Sequence, residues 1–269
     1  MTTKSFIPAR ASTNSMRRTA RTAGILYLIT FVSIPTLFLY KPVKDNVGSF
    51  ILGTSGSVTK VMWGTLSEII VGLAGISTAL VLLPVLRRQS ETAALAVVAA
   101  RMLETTLIFV GVVSMLTITT LRHDALGASA TAQASLVATG SGLVAIYNWT
   151  FLVSQAFMPV VVDALLGYLL YRSQLVPRLL PVIALCGAPL LLINDVAIFF
   201  GAYAKGSTLD GLAALPIGGF ELAFGIWLIV KGFNPSSPVF SQPNSENATQ
   251  IPVQRTHSER LREPAVDLT

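Results

Sequence analysis

Arg101 and Glu104 stand in the segment AARMLETTLIF, residues 99–109, whose remaining side chains are mostly apolar. Residues three apart on a helix are neighbours, so the two can face one way and pair. Four further acids, Glu68, Asp163, Asp195 and Glu221, each occupy an apolar stretch of their own, and Asn148, Gln155 and Asn194 are uncharged polar residues of the same segments. A charge at the centre of a bilayer-spanning helix costs about 2.5–3.5 kcal/mol on the insertion scale. Such groups must therefore face the interior, pair, take up a proton or touch water. With every acid ionised, the five carboxylates and one arginine sum to −4. The chemistry open to this set is proton exchange, binding of a cation or small polar ligand, or a purely structural polar network that fixes helix register.

Other chemistries find no residues. Two histidines exist, His123 and His257, both outside the apolar segments, which excludes a bis-histidine haem and leaves no His-ligated metal site within them. No HExxH, GxSxG or Walker motif occurs, and no serine or threonine of the apolar segments has a histidine partner for nucleophilic catalysis. No catalytic residue, metal or cofactor is assigned, and an enzyme is unsupported. The formal charge is +6, but aromatics do not cluster among the basic residues, so a nucleic-acid partner is not expected. The single cysteine, Cys186, lies in an apolar stretch and is expected to be a buried structural thiol.

The elements that must position these groups follow from composition. The 269 residues are 52% hydrophobic and 12% charged. Soluble domains average about 25% charged residues, and half that leaves too little polar surface to cover a globule. The expected fold is all-α, a polytopic transmembrane helix bundle whose main partner is the lipid bilayer. Six spans are expected, at roughly 22–40, 61–86, 92–120, 143–171, 178–202 and 209–231, each long enough for ~30 Å of hydrocarbon. Residues 1–21 form a basic arm, 22–233 the membrane domain, and 234–269 a polar, proline-bearing tail expected to be disordered. The loop 121–142 is expected to hold a short surface helix near 129–138, ended by Gly140 and Gly142. Thirteen Lys and Arg fall on the side of the N-terminus and five on the other, which places both termini in the cytoplasm. Counting inward from that side, Asp163, Arg101, Glu221 and Glu104 lie about 8 to 12 residues deep, while Glu68, Asn194 and Asp195 lie about 17 to 18 deep. Pro35, Pro84, Pro159, Pro189 and Pro216 interrupt the spans, either for packing or as broken helices at a binding site. The small-residue pairs Gly75/Ala79, Ala96/Ala100 and Gly219/Ala223 allow close helix approach.

Several pieces in order carry a family resemblance: RTAGILYLITFV, ARMLE, NWTF, LLGYLLYRSQLVPRLLPVIALCGAPLL and ELAFGIWLIVKGF. Over about residues 17–233 the chain resembles a group of bacterial membrane proteins catalogued as domain of unknown function 4386. The resemblance implies a bacterial multi-pass protein of the plasma membrane and supplies no catalytic residues. The chain departs from that group's pattern at Asn148, where an acid often stands, and at Ser154–Gln155–Ala156, where a Gly-Pro element often follows. Two functions of different class stay open. One is ion- or proton-coupled transport using the carboxylates. The other is a non-catalytic accessory or partner protein whose polar network is structural. Transport requires Arg101 and most of the acids to converge on a reachable cavity; the structural role requires a dry, paired network.

Overall fold

A computed structural model of the chain describes residues 9–240. The elements in order are α1 (Ala9–Ile29), a 3-10 turn (Thr30–Ser33), the short helices α2 (Thr36–Leu39), α3 (Lys41–Asp45) and α4 (Val47–Ile51), then α5 (Val58–Leu86), α6 (Glu91–Asp124) and α7 (Ala130–Leu152). A π-helix (Val153–Phe157) joins α7 to α8 (Met158–Ser173), and α9 (Leu179–Phe199) and α10 (Thr208–Val230) complete the bundle. No strand occurs among the described residues. Five helices are long and apolar enough to cross a membrane: α5, α6, the continuous Ala130–Ser173 rod, α9 and α10. Their outer faces carry exposed Leu73 and Leu80 on α5, Val113 on α6, Ile193 on α9 and Val230 on α10. A water-facing monomer does not tolerate so extended an apolar surface, whereas lipid does.

The first expected span is a broken one. Its helix ends at Ile29 and the chain continues through the 3-10 turn and Pro35 into α2. It still traverses the bundle. Ala20 packs beside Gly232 past the end of α10, while the Tyr40 ring packs on Gly64 near the start of α5. With the five long helices this makes six antiparallel crossings. On the N-terminal side of that crossing, α1 begins at Ala9, well inside the basic arm expected to precede the bundle, because residues 9–21 hold neither glycine nor proline and continue the helix.

Three further expectations change. The 129–138 surface helix does not stop at Gly140 and Gly142; α7 runs through both, since Gly140 is buried against Ile51 and Val47 of α4 and serves packing rather than termination, while Gly142 is exposed with open space around it. Residues 234–240 pack on the bundle: the Asn234 amide donates to the Leu175 carbonyl at 2.8 Å, the Ser237 hydroxyl donates to the Ser173 carbonyl, and Val239 is buried. The remainder of the expected disordered tail, 241–269, lies outside the described residues, as do residues 1–8 of the arm. Cys186 is exposed on the outside of α9, not buried. The apolar periodicity of a membrane helix does not distinguish its lipid face from its packed face.

Serine and asparagine caps set the helix starts. Ser90, Ser129 and Ser207 accept from the amides of Ala93, Ala132 and Asp210, and Asn46 accepts from Ser49. Gln174, in the left-handed region at φ 54°, ends α8. Close approach occurs at Gly24 and Gly225, where α1 crosses α10: a Cβ on Gly24 would lie 2.6 Å from the Gly225 carbonyl oxygen. At Gly219 nothing stands within 4 Å of such a Cβ, so the Gly219/Ala223 pair makes no close contact through it. Two large apolar cores and two small ones result among the described residues. One large core, with Leu82, Leu86, Leu169, Phe224 and Leu228, fills the side of the N-terminus; the other, with Tyr40, Phe50, Ile51, Met115 and Ile118, fills the opposite side. The Arg101 centre lies between them, and the Asp195, Lys205 and Asp210 group lies at the α9–α10 turn.

Candidate functional site

Arg101 is the centre of the buried charge. Its position on α6 turns it inward with Ala94, Val97, Glu104, Thr105 and Ile108, the buried stripe of that helix. Its Nη1 donates to both oxygens of Glu104, at 3.1 and 3.0 Å. Its Nη2 lies 3.7 Å from Glu221 Oε1 on α10 and donates to the Tyr27 hydroxyl of α1 at 3.2 Å. Tyr27 in turn faces Asp163 of α8, donating to its Oδ1 at 3.2 Å, with Glu221 Oε1 at 3.4 Å. Four helices thus meet on one guanidinium and one phenol. Asp163 is fully buried, and its Oδ2 has no hydrogen-bond partner. With all three acids ionised this centre carries −2, so the arginine alone does not balance it.

The structure brings Arg101, Glu104, Asp163 and Glu221 together and leaves the other two acids apart, each with its own partners. Glu68 of α5 is buried and accepts from the hydroxyls of Tyr147 at 2.9 Å and Tyr40 at 3.3 Å, and from Gln155 Nε2 at 3.5 Å. Asp195 of α9 accepts from Asn194 Nδ2 at 3.1 Å and lies 3.6 Å from Lys205 Nζ; Lys205 also reaches Asp210 at 3.0 Å, and Asn194 donates to Asp210 at 2.9 Å. Arg101 is therefore not the only base serving these acids: Lys205, from the loop between α9 and α10, serves Asp195 together with Asp210. Asn148 is exposed and joins none of the three groups.

A cavity of about 190 Å³ adjoins the Arg101 centre. Arg101, Glu104 and Glu221 line it, together with Gly72 and Gly75 of α5, Gln155 and Pro159. That is room for several waters, since each needs ~10–15 Å³ of probe-occupied space. Thr30, Phe31 and Ile34 also line it, so both irregular pieces of backbone, the 3-10 turn after α1 and the π-helix, border the same space. The π-helix has a local cause. Proline has no amide hydrogen, so Pro159 cannot donate to the carbonyl four residues back, that of Gln155, and the Met158 amide bonds to Val153 instead. Ser154, within the π turn, is buried with a hydroxyl that finds no partner. The residues missed from sequence are three tyrosines and an ion pair: Tyr27, Tyr40, Tyr147, and Lys205 with Asp210. A signal existed for the tyrosines, because a buried phenol needs a partner and the acids were the partners on offer. Among the described residues no group of His, Cys, Asp and Glu could hold a metal.

No curated protein and no solved structure matches the chain. A family does match, over residues 22–232, and that stretch contains every buried acid, Arg101 and both broken helices. The chain belongs to the family described as Domain of unknown function (DUF4386).

Proposed function

We propose that the protein is an ion- or proton-coupled membrane transporter whose exchange centre is the Arg101, Glu104, Asp163 and Glu221 cluster. One observation carries this reading: three of these charged groups and both breaks in helical backbone border the same 190 Å³ cavity. Unwound backbone at membrane depth is tolerated where it lines a cavity or is buried in protein, and transporters place binding sites at such breaks. The excess of acids over bases there favours a proton or a small cation over an anion. In the proposed setting, a bacterial plasma membrane, both termini face the cytoplasm, as the bias of thirteen basic residues to five argues. The test is reconstitution into liposomes with a panel of monovalent cations, small solutes and a pH gradient. Flux in the parent that is lost in Glu221→Gln, with folding retained, supports the reading. No flux from any panel member, and none from a pH gradient alone, sinks it. The second reading, a structural network in an accessory protein, is favoured by the Arg101–Glu104 pair within one helix, in which both carboxylate oxygens accept from Nη1.

A further inference from the structure

Glu68 stands apart from the Arg101 centre, yet it shares a wall with it. Val71, Gly72 and Gly75, three, four and seven residues along α5 from Glu68, line the cavity, so the carboxylate and the cavity lie on the same helix face. Arg101, Glu104 and Glu221 line the same cavity, and a Cβ on Gly75 would lie 3.9 Å from Arg101 Cδ. Gln155 belongs to both sites: it lines the cavity and its amide nitrogen reaches Glu68 Oε1 at 3.5 Å. It sits in the π-helix, whose register is set by Pro159 one turn on.

The surroundings of Glu68 are unusual for a buried acid. It is 1% exposed, and no Lys or Arg among the described residues pairs with it at ion-pair distance. The charged and titratable groups around it are Tyr40, after α2, and Tyr147 of α7, both bonded to it, and Lys44 of α3, whose ammonium stands 5.7 Å from the Tyr147 ring centre. Arg101 and Glu104 of the neighbouring α6 line the cavity. Three neutral donors and no paired base suit a carboxyl that alternates between its charged and neutral forms. A hydroxyl that donates to the anion can turn to accept from the acid.

We propose that Glu68 is a second proton-binding group, on the far side of the cavity from the N-terminal end, and that Gln155 is the positioning residue that couples it to the Arg101 centre. The inference rests on the proton-coupled reading above and deepens it. A proton arriving from the side opposite the N-terminus forms an O–H bond on the Glu68 carboxylate. That bond then breaks toward a cavity water, and the water chain delivers one proton to Glu221 or Glu104. One proton enters and one leaves, and no other reactant is needed. Gln155 holds Glu68 at the cavity edge and does not itself carry the proton.

The test is infrared difference spectroscopy of the full chain in lipid nanodiscs, titrated with pH and read in the protonated-carboxyl stretch. Glu68→Gln should delete one titrating band and leave the others. Tyr147→Phe, which keeps the acid and removes its 2.9 Å bond, should shift that band and so identify it even if Glu68→Gln folds poorly. Gln155→Leu should move the midpoint of the Glu68 band by about half a pH unit or more, a threefold change in proton affinity. Glu221→Gln should move it too, but not in the Gln155→Leu background. A parent spectrum in which neither Glu68→Gln nor Tyr147→Phe changes any titrating band overturns the proton-binding role. A Glu68 band that ignores Gln155→Leu overturns the coupling. If liposomes show no flux while the bands behave as expected, the transport reading falls and the coupled pair of proton sites stands. Flux that persists in Glu68→Gln removes Glu68 from the path and leaves the Arg101 centre.

Discussion

Replacing Arg101 by Ala tests the centre most directly. The side chain of Arg101 is 8% exposed, that of Glu104 10% and that of Glu221 20%, and Asp163 is fully buried. The substitution strands three buried acids at once. Breaking one buried ion pair costs about 3–5 kcal/mol. For a chain of this size each kcal/mol moves the midpoint of thermal unfolding by roughly 2–4 °C, so a drop of about 6–20 °C is expected. The lower part of that range fits best, because Glu104 and Glu221 can exchange the arginine for cavity water. The geometry also ranks the partners. Coulomb attraction falls by only about a fifth between 3.0 and 3.7 Å, so it separates Glu104 from Glu221 poorly. Hydrogen bonding separates them well: Glu104 receives two charge-assisted bonds and Glu221 sits beyond hydrogen-bond distance of the guanidinium. Each such bond contributes about 1.5–3 kcal/mol. In double-mutant cycles on detergent-solubilised protein, Arg101 should couple to Glu104 more strongly than to Glu221 by at least ~1.5 kcal/mol. Arg101→Lys should recover less than half of the loss, since one ammonium nitrogen cannot stand both where Nη1 meets Glu104 and where Nη2 meets Tyr27. An Arg101→Ala protein as stable as its parent, or equal coupling to the two glutamates, would refute the reasoning.

Gly24→Ala should destabilise the α1–α10 crossing by roughly 1–3 kcal/mol, because the new methyl meets a carbonyl oxygen at 2.6 Å, while Gly219→Ala, with open space, should be neutral or raise stability by up to ~1 kcal/mol; thermal melts compare the two. Lys205→Met should cost about 1–3 kcal/mol by leaving Asp195 and Asp210 without their cation, and adding Asp195→Asn in that background should restore part of it. A restoration absent from the melt of the double variant would show that Lys205 does not serve Asp195. With Cys186 replaced by Ser, single cysteines at Ser129 and at Ser245 should react with an impermeant thiol reagent from opposite sides of the membrane. Reaction from the same side would contradict six crossings.

Much of the architecture is legible in composition and period. The spans from α5 onward are long apolar runs bounded by serine caps and basic loops, and their order follows from the chain. The misreadings share a cause. Local sequence rules assign glycine and polar residues to helix ends, but a bundle uses them for contact. Gly140 continues α7 because Ile51 of α4 needs the space, and residues 9–21 are helical because nothing in them stops a helix that the bilayer has begun. Conversely, the uniformly apolar sequence around Cys186 conceals which side of α9 faces lipid.

The site divides in the same way. Depth counting separates Arg101, Glu104, Asp163 and Glu221 from Glu68 and Asp195, and the bundle keeps that division. It cannot say which partners each group meets, because that depends on helix rotation and on loops: Lys205 reaches Asp195 from outside the span, and Tyr40 reaches Glu68 only because the first crossing breaks at Pro35 and brings α2 against α5. The breaks are the link between sequence and chemistry. An unbroken helix after Ile29 would carry residues 30–40 past the cavity as one more continuous wall. An unbroken turn at Val153–Phe157 would rotate Gln155 by the fraction of a turn that the extra residue adds. Pro35 and Pro159 cannot make the bonds that would straighten those segments, so two uncharged prolines, the second of them lining the cavity beside Arg101, Glu104 and Glu221, shape the space that the carboxylates face.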